Sequence, residues 1–121
     1  MAFKVNVTQK RPGVITVAPI GSIDAESSAV LDKKVESALE QQPDVVIFDL
    51  EFTDYINSMG VRVLIKTKKT MQKQGGKILF THLQPQIKKV FDILNALPSL
   101  QVFTSIEELD NYLDAMQKKA R

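Results

Sequence analysis

The segment "DVVIFDLEFTDYINSMGVRVLIKTKK", residues 44–69, changes its hydrophobic pattern once, and that change decides the fold. It begins with a continuous apolar run of strand length, the pattern of a strand that lies inside a sheet. After a polar corner, apolar residues recur at helical spacing, namely Val61, Leu64, Ile65 and Met71. The pair Gly75 and Gly76 then ends the helix. A buried strand followed by an amphipathic helix indicates an α/β protein.

The flanking sequence extends this pattern in both directions. "FKVNV" and "VITVAPI" alternate apolar and polar residues, and "KRPG" between them predicts an antiparallel hairpin. "KILFTHL" and "QVF" are predicted to be two more strands. Helices are predicted to follow the caps Asp24 and Ser105, and a further helix to begin at Pro85. The order β-β-α-β-α-β-α-β-α predicts a mixed, mostly parallel sheet of about five strands with four helices. We expect residues 1–121 to form a single domain.

Composition excludes several classes of protein. The 16 basic and 14 acidic side chains give a net charge of +2, so we expect no direct contact with nucleic acid. The chain has no cysteine and one histidine, His82, and we therefore expect no metal and no cofactor. The N-terminus lacks the apolar core of a signal peptide, and no run reaches the roughly 18 apolar residues of a membrane span. We expect a cytoplasmic protein that does not insert into a membrane.

Three carboxylates, Asp24, Asp49 and Asp54, fall at or beyond strand ends, where α/β proteins place their sites. One hypothesis is a receiver-like protein that is phosphorylated on Asp49 or Asp54. Such a site also needs an acidic pair after the first strand and a lysine after the last, which "NVTQK" and "QVFTS" do not supply. Loop and cap roles are therefore favoured for these aspartates. Phosphate-binding loops and the serine-esterase motif are absent from the sequence, so an enzyme is not expected.

The corner Asn57-Ser58 precedes the helix of the opening segment. Ser58 has no adjacent base in the sequence, so it is not expected to be an activated nucleophile. Either Asn57 or Ser58 can be the helix cap. Ser58 can also accept a phosphate, because negative charge is favourable at a helix N-terminus. On this basis we expect Ser58→Glu to change stability little, and Ser58→Ala to cost about 1 kcal/mol of capping.

Two polar stretches, residues 21–28 and 57–60, are predicted to lie together at one end of the sheet, because both follow strands. Basic side chains then follow at i, i+4, i+7 and i+11 along one helix face: Arg62, Lys66, Lys69 and Lys73. These charges either solvate the helix or meet acidic groups of a partner, with Arg62 and Lys66 nearest to the corner.

"GSIDAESSAVL" and "YINSMGVRVLI" resemble two segments of STAS domains, a family named for sulfate transporters and anti-sigma factor antagonists. "THLQPQIKKVFDILNALPSLQVFTSIEELDNYL" resembles the usual ending of that domain. The resemblance implies an α/β STAS protein of the stand-alone antagonist type, which is not an enzyme. It also implies that Ser58 is phosphorylated by an anti-sigma factor serine kinase, that the unphosphorylated form binds this partner, and that a serine phosphatase resets the switch.

The same resemblance leaves a second function open, a scaffold subunit of a membrane transport system for lipids or anions, in which Ser58 carries no phosphate. For the antagonist, we predict a partner-binding surface around Ser58 that contains Asp24, Ala25, Asn57, Met59, Gly60, Arg62 and Lys66. A buried dianion without a matching cation would cost roughly 3 to 5 kcal/mol of binding, a factor of about 10² to 10⁴ in affinity.

Overall fold

The computed structural model describes residues 3–96 and 105–120, which form four strands and four helices. In chain order these are β1 (Lys4–Arg11), β2 (Val14–Ile20), α1 (Ala25–Leu39), β3 (Val45–Asp49), α2 (Ser58–Lys73), β4 (Lys77–Thr81), α3 (Pro85–Ala96) and α4 (Ile106–Ala120). The α/β class and the four helices are confirmed. The fifth predicted strand, "QVF" at residues 101–103, lies outside the described residues.

The described sheet has the strand order β1-β2-β3-β4. β1 and β2 form the predicted antiparallel hairpin, whereas β2 pairs with β3, and β3 with β4, in parallel. Gly13 sits in the hairpin turn with a φ of 78°, a left-handed conformation that glycine adopts without a steric penalty. The apolar run of the opening segment is therefore an inner strand, β3, as its pattern predicts.

All four helices contribute to a core that lies against one face of this sheet. Buried residues alternate along the inner strands, with Ile15 and Val17 on β2 and Val46 and Phe48 on β3. The connections β2-α1-β3 and β3-α2-β4 join neighbouring parallel strands, and right-handed crossovers place both helices on the same face. On the opposite face Leu79 is 44% exposed. Each of these two crossovers enters its helix at a polar corner at the same end of the sheet.

The ends of two helices follow the predicted signals. α2 is followed by Gly75, whose φ of 78° takes the chain out of the helix. α3 begins with Pro85, since a fixed φ near −65° suits the first helical position. On α3, Ile87 and Val90 are buried, and the ring of Phe91 lies 4.6 Å from that of Phe80 on β4.

Candidate functional site

Two strand-to-helix corners meet at one end of the sheet. We call residues 21–28, which lead into α1, the α1 corner, and residues 57–60, which begin α2, the α2 corner. Ile23 and Ile56 form a parallel bridge between them, and the Asn57 N–H donates to the Ile23 carbonyl at 3.0 Å. The predicted adjacency of the two corners is confirmed.

Asn57 is the N-cap of α2. Its Oδ1 accepts hydrogen bonds from the N–H groups of Met59 at 3.0 Å and Gly60 at 3.2 Å. Ser58 is therefore the first residue of the helix and does not cap it. Of the two caps that the sequence allows, the structure assigns Asn57, and the expectation that Ser58→Ala would remove a cap is wrong.

Ser58 is fully buried. Among the described residues, its Oγ is the buried side-chain polar atom without a hydrogen-bond partner. Its backbone N–H donates to Oδ1 of Asp110 on α4 at 2.8 Å. An unsatisfied buried hydroxyl costs on the order of 1 to 3 kcal/mol. The folded chain therefore carries this hydroxyl at an energetic cost.

Helix α4 covers the corner and is attached to it by Gln117, which is fully buried. Gln117 Oε1 accepts from the N–H of Ile56 at 2.9 Å, and Gln117 Nε2 donates to the carbonyl of Ile56 at 2.7 Å. In the parallel bridge, Ile23 bonds to the residues on either side of Ile56, so the polar groups of Ile56 point to the opposite side. Gln117 satisfies both of them there, as a neighbouring strand would.

Asp110 and Gln117 are the two residues of this site that the sequence interpretation missed. A signal for Gln117 is present, because it lies four residues after Leu113 and eight after Leu109, on the apolar stripe of α4. A polar residue at a stripe position has to find partners within the core. Asp110 has no comparable signal, because an acidic residue near the start of a helix is common.

Gly60 is buried where the two corners come closest. A Cβ atom at this position would lie 2.6 Å from Cγ2 of Ile23 and 2.7 Å from Cγ1 of Ile56. Only a residue without a side chain fits such a contact. Gly60 was predicted as a partner-binding residue, and the structure gives it a packing role between the two corners.

The α1 corner is closed by a reciprocal pair of hydrogen bonds. Asp24 Oδ1 accepts from the Ser27 N–H at 2.9 Å, and the Asp24 N–H donates to Ser27 Oγ at 2.8 Å. This capping box confirms Asp24 as the N-cap of α1. The Ser27 N–H, followed by the Ser27 hydroxyl, lowers the pKa of the Asp24 carboxyl below its ordinary value of 3.8.

The predicted partner-binding residues divide between surface and interior. Asp24, Ala25, Arg62 and Lys66 are exposed, and Met59 is 37% exposed. Asn57 is half-buried, whereas Gly60 is buried. A partner that docks on this surface would therefore contact the exposed side chains and would not reach Gly60.

Lys66 belongs to an ion-pair cluster within the chain. Its Nζ lies 3.0 Å from Glu36 Oε1 and 3.3 Å from Asp32 Oδ2, both on α1. The hydrogen bond to Glu36, and then that to Asp32, raises the pKa of Lys66 above its ordinary value. The basic face of α2 is therefore partly neutralised near the corner.

An open groove of about 420 Å³ runs along this face and is lined by Arg62, Ile65, Lys66, Lys69, Thr70 and Lys73.

The remaining polar residues of this end of the sheet brace loops. Asp49 Oδ1 lies 3.0 Å from His82 Nδ1, and Asp54 Oδ1 accepts from the hydroxyl of Ser22 at 2.8 Å. Within residues 3–96 and 105–120, no group of three or more His, Asp or Glu side chains is placed to hold a metal ion. In the same part of the chain, no helix combines the length and apolarity needed to cross a bilayer.

A second, larger groove opens beside the α1 corner. It has a volume of about 1020 Å³ and is lined by apolar and acidic side chains that include Phe3, Val30, Phe52, Asp24 and Asp54. Phe52 is 60% exposed. Exposed aromatic side chains rimmed by charge are typical of protein-binding surfaces.

The protein is an α/β domain in which the helices pack on one face of a mixed sheet, and the bridge between Ile23 and Ile56 joins the N-termini of α1 and α2. The chain matches the STAS domain over residues 6–109, and it belongs to the STAS domain family. It is 34% identical over 93 residues to the anti-sigma-B factor antagonist of Bacillus subtilis, a match that covers 77% of this chain and 84% of that protein.

The fold is shared with solved structures of the anti-sigma factor antagonist SpoIIAA. For its unphosphorylated form the TM-score is 0.65, at 16% identity, over 74% of this chain and 83% of that one. For the phosphorylated form, described as a Bacillus cell fate determinant, the TM-score is also 0.65, at 16% identity, over 75% and 83% of the two chains. At this identity the likeness supports the fold.

Proposed function

We propose that this chain is an anti-sigma factor antagonist that binds an anti-sigma factor while Ser58 is unmodified and releases it when Ser58 carries a phosphate. The observation that carries the proposal is that the Ser58 hydroxyl has no hydrogen-bond partner among the described residues. This hydroxyl lies at the first turn of α2, and the cap of that helix is supplied by Asn57. In this role the chain is a substrate and a binding partner, and it catalyses nothing itself.

The relatives support the regulatory part of this proposal. The B. subtilis relative is an anti-sigma-B factor antagonist, and SpoIIAA has been solved in phosphorylated and unphosphorylated forms. By analogy, the partners of this chain are an anti-sigma factor that is a serine kinase and a serine phosphatase that removes the phosphate. The proposed role is cytoplasmic and needs no direct contact with nucleic acid.

The partner surface is the exposed rim of the two corners. Asp24, Ala25 and Met59 form its centre, and Arg62 provides a positive charge one turn into α2. Lys66 contributes less, because two carboxylates of α1 already surround its ammonium group. Exposed charges of this kind act mainly on the association rate, which they raise when the partner surface is acidic.

Phosphate at Ser58 opposes binding for an electrostatic reason. A phosphoserine carries a charge of about −1.5 to −2 at neutral pH. If the partner brings no cation to this position, burial of that charge costs roughly 3 to 5 kcal/mol and weakens binding about 10² to 10⁴-fold.

The alternative function is an accessory subunit of a membrane transport system for lipids or anions. One observation favours it, the full burial of Ser58, since a protein kinase reaches this hydroxyl only if the structure around it opens. In that function Ser58 stays unmodified, and the chain remains bound to the other subunits of the transport system.

Phosphate mapping in the native cells tests the proposal. The affinity-tagged chain is isolated, and its peptides are analysed by mass spectrometry beside those of the Ser58→Ala variant. We expect one phosphoryl group on the peptide that contains Ser58, none on the variant, and an anti-sigma factor that co-purifies with the unmodified chain. Phosphate at no position under any growth condition, together with co-purified transporter subunits, would establish the alternative.

A further inference from the structure

We propose that α4 is a lid over Ser58, held closed by Gln117 and Asp110, and that the lid must open before Ser58 can be modified. This inference rests on the proposed function in one respect, that Ser58 is the modified residue. The closing contacts themselves are independent of any kinase.

Access to the hydroxyl is the first step of the argument. Phosphorylation joins Ser58 Oγ to the γ-phosphorus of a nucleoside triphosphate and breaks the bond from that phosphorus to the bridging oxygen. The nucleoside diphosphate leaves, and the hydroxyl proton passes to a base of the kinase. The attacking oxygen has to stand in line with the leaving group. Ser58 is fully buried, so this geometry is out of reach while α4 is closed.

Gln117 is the main closing contact. Its amide satisfies both backbone groups of Ile56, two residues before Ser58, and all these atoms are buried. Leu113 and Leu109, on the same stripe of α4, are buried in the core beside it. When α4 lifts, the N–H and carbonyl of Ile56 lose Gln117 and form hydrogen bonds with water instead. The opening therefore breaks the contacts of α4 with the corner, exposes part of the core beneath this helix, and leaves the sheet intact.

Asp110 makes the lid sensitive to the modification. Its Oδ1 accepts from the Ser58 N–H at 2.8 Å, and the Ser58 Oγ is only a few covalent bonds from that nitrogen. A phosphate on Oγ thus lies close to the Asp110 carboxylate, and like charges at such separation repel strongly when they are partly buried. The closed position of α4 favours the unmodified hydroxyl, and the phosphorylated chain keeps the lid open.

A single thiol can measure this opening without any kinase. The chain has no cysteine, so Ser58→Cys introduces a unique thiol in place of the hydroxyl, and Met59→Cys introduces one at the exposed neighbouring position. Each variant is labelled with a disulfide reagent under native conditions. Its labelling rate is divided by the labelling rate of the same variant in concentrated urea, which corrects for the intrinsic reactivity of each thiol. We expect Cys at position 58 to react about 100-fold more slowly than Cys at position 59.

Second-site variants then identify the closing contacts. Gln117→Ala, and separately Asp110→Ala, should each speed labelling at position 58 about tenfold and leave position 59 unchanged. Asp114→Ala is the matched control, because Asp114 lies on the same helix and pairs with the exposed Lys118. We expect it to change neither rate.

The dependence of the labelling rate on urea concentration tests the lid without any second-site variant, so it still applies if Gln117→Ala or Asp110→Ala does not fold. In Ser58→Cys alone, a lid opening gives a slope of rate against urea well below that of global unfolding, because it exposes less surface. Rapid labelling at position 58, or a slope equal to that of global unfolding, would overturn the lid. Neither result depends on whether Ser58 is phosphorylated in cells, so the lid and the proposed function can fail separately.

Discussion

The two corners that meet at the end of the sheet are built alike and differ in how their polar groups are used. Each follows a strand, has an N-cap with a short polar side chain, and joins the other through the bridge of Ile23 and Ile56. At the α1 corner, Ser27 exchanges hydrogen bonds with Asp24, and the first helical residue, Ala25, is exposed. At the α2 corner, the first helical residue, Ser58, is fully buried, and its N–H donates to Asp110 of α4.

The comparison shows which serine the fold needs. Ser27 Oγ also donates to the carbonyl of Ser22 at 2.7 Å, so this hydroxyl holds its corner together. The buried Ser58 hydroxyl holds nothing comparable within the described residues. The fold therefore does not need the Ser58 hydroxyl for its own hydrogen bonds, which is consistent with the proposed modification at this position.

The largest expected effect comes from placing the same charge at the first helical position of each corner. Ser58→Glu should lower the free energy of unfolding by about 2 to 3 kcal/mol, because a carboxylate next to Asp110 favours the open position of α4 and so forfeits its closing contacts. This reverses the expectation from sequence, which took the helix dipole as the deciding term. Urea denaturation gives the value.

Ala25→Glu is the matched control. This exposed position should tolerate the charge or gain a few tenths of a kcal/mol from the helix dipole. In addition, Asp110→Asn should recover part of the loss in Ser58→Glu. Equal unfolding free energies for Ser58→Glu and Ala25→Glu would show that the two corners do not differ in this way.

A smaller effect is expected at the contact between the corners. Gly60→Ala places a methyl group 2.6 Å from Cγ2 of Ile23, and the overpacking should cost about 1 to 3 kcal/mol. Met59→Ala, one residue earlier and partly exposed, should stay within about 0.5 kcal/mol of the parent. Thermal melts of both variants provide the check, and an unchanged melting temperature for Gly60→Ala would argue against the close approach.

The two N-caps should be of similar strength and differ in their response to pH. Asp24→Ala and Asn57→Ala should each cost about 1 kcal/mol near neutral pH. The folded-state pKa of Asp24 is lowered, so its stabilisation is present above the ordinary value of 3.8 and is lost as the pH falls through the folded-state pKa. The cost of Asp24→Ala should therefore shrink in acid.

The Asn57 amide does not titrate in this range, so the cost of Asn57→Ala should remain constant. Urea unfolding of both variants at pH 7 and at a pH below 3.8 compares the corners directly. If Asp24→Ala lowered the free energy of unfolding equally at both pH values, the ionised carboxylate of Asp24 would not be what stabilises the start of α1.

The smallest effect is expected where a buried serine is truncated. Ser58→Ala should not lower the free energy of unfolding and should raise it by up to about 1 kcal/mol, because it removes a buried hydroxyl that has no partner among the described residues. Ser27→Ala should cost about 1 kcal/mol, because it removes a hydroxyl that accepts from the Asp24 N–H and donates to the Ser22 carbonyl. If Ser58→Ala proved the more destabilising of the two, Ser58 would be the structural serine.

Most of the fold follows from local patterns in the sequence. The apolar run of β3, the alternation in the hairpin, and the stop at Gly75 each reflect an interaction within a few residues of the chain. The adjacency of the two corners also follows, because neighbouring parallel strands bring their ends together. These features need no knowledge of distant contacts.

The cover over Ser58 could not be predicted in the same way. It depends on a contact between α4 and a bridge 61 residues earlier in the chain, made by the side chain of Gln117. Helical periodicity shows which face of α4 is apolar, but it does not show where the helix docks. For the same reason, the sequence could not show that Lys66 is shared with Asp32 and Glu36 of α1.

The affinity of the anti-sigma factor for two forms of this chain shows whether phosphate at Ser58 releases the partner. Phosphoserine is incorporated at position 58 during synthesis, so that no kinase is required, and calorimetry compares this form with the unmodified chain against the co-purified partner. We expect the phosphoserine form to bind the partner about 10² to 10⁴-fold more weakly than the unmodified chain. Equal affinities of the two forms would contradict it.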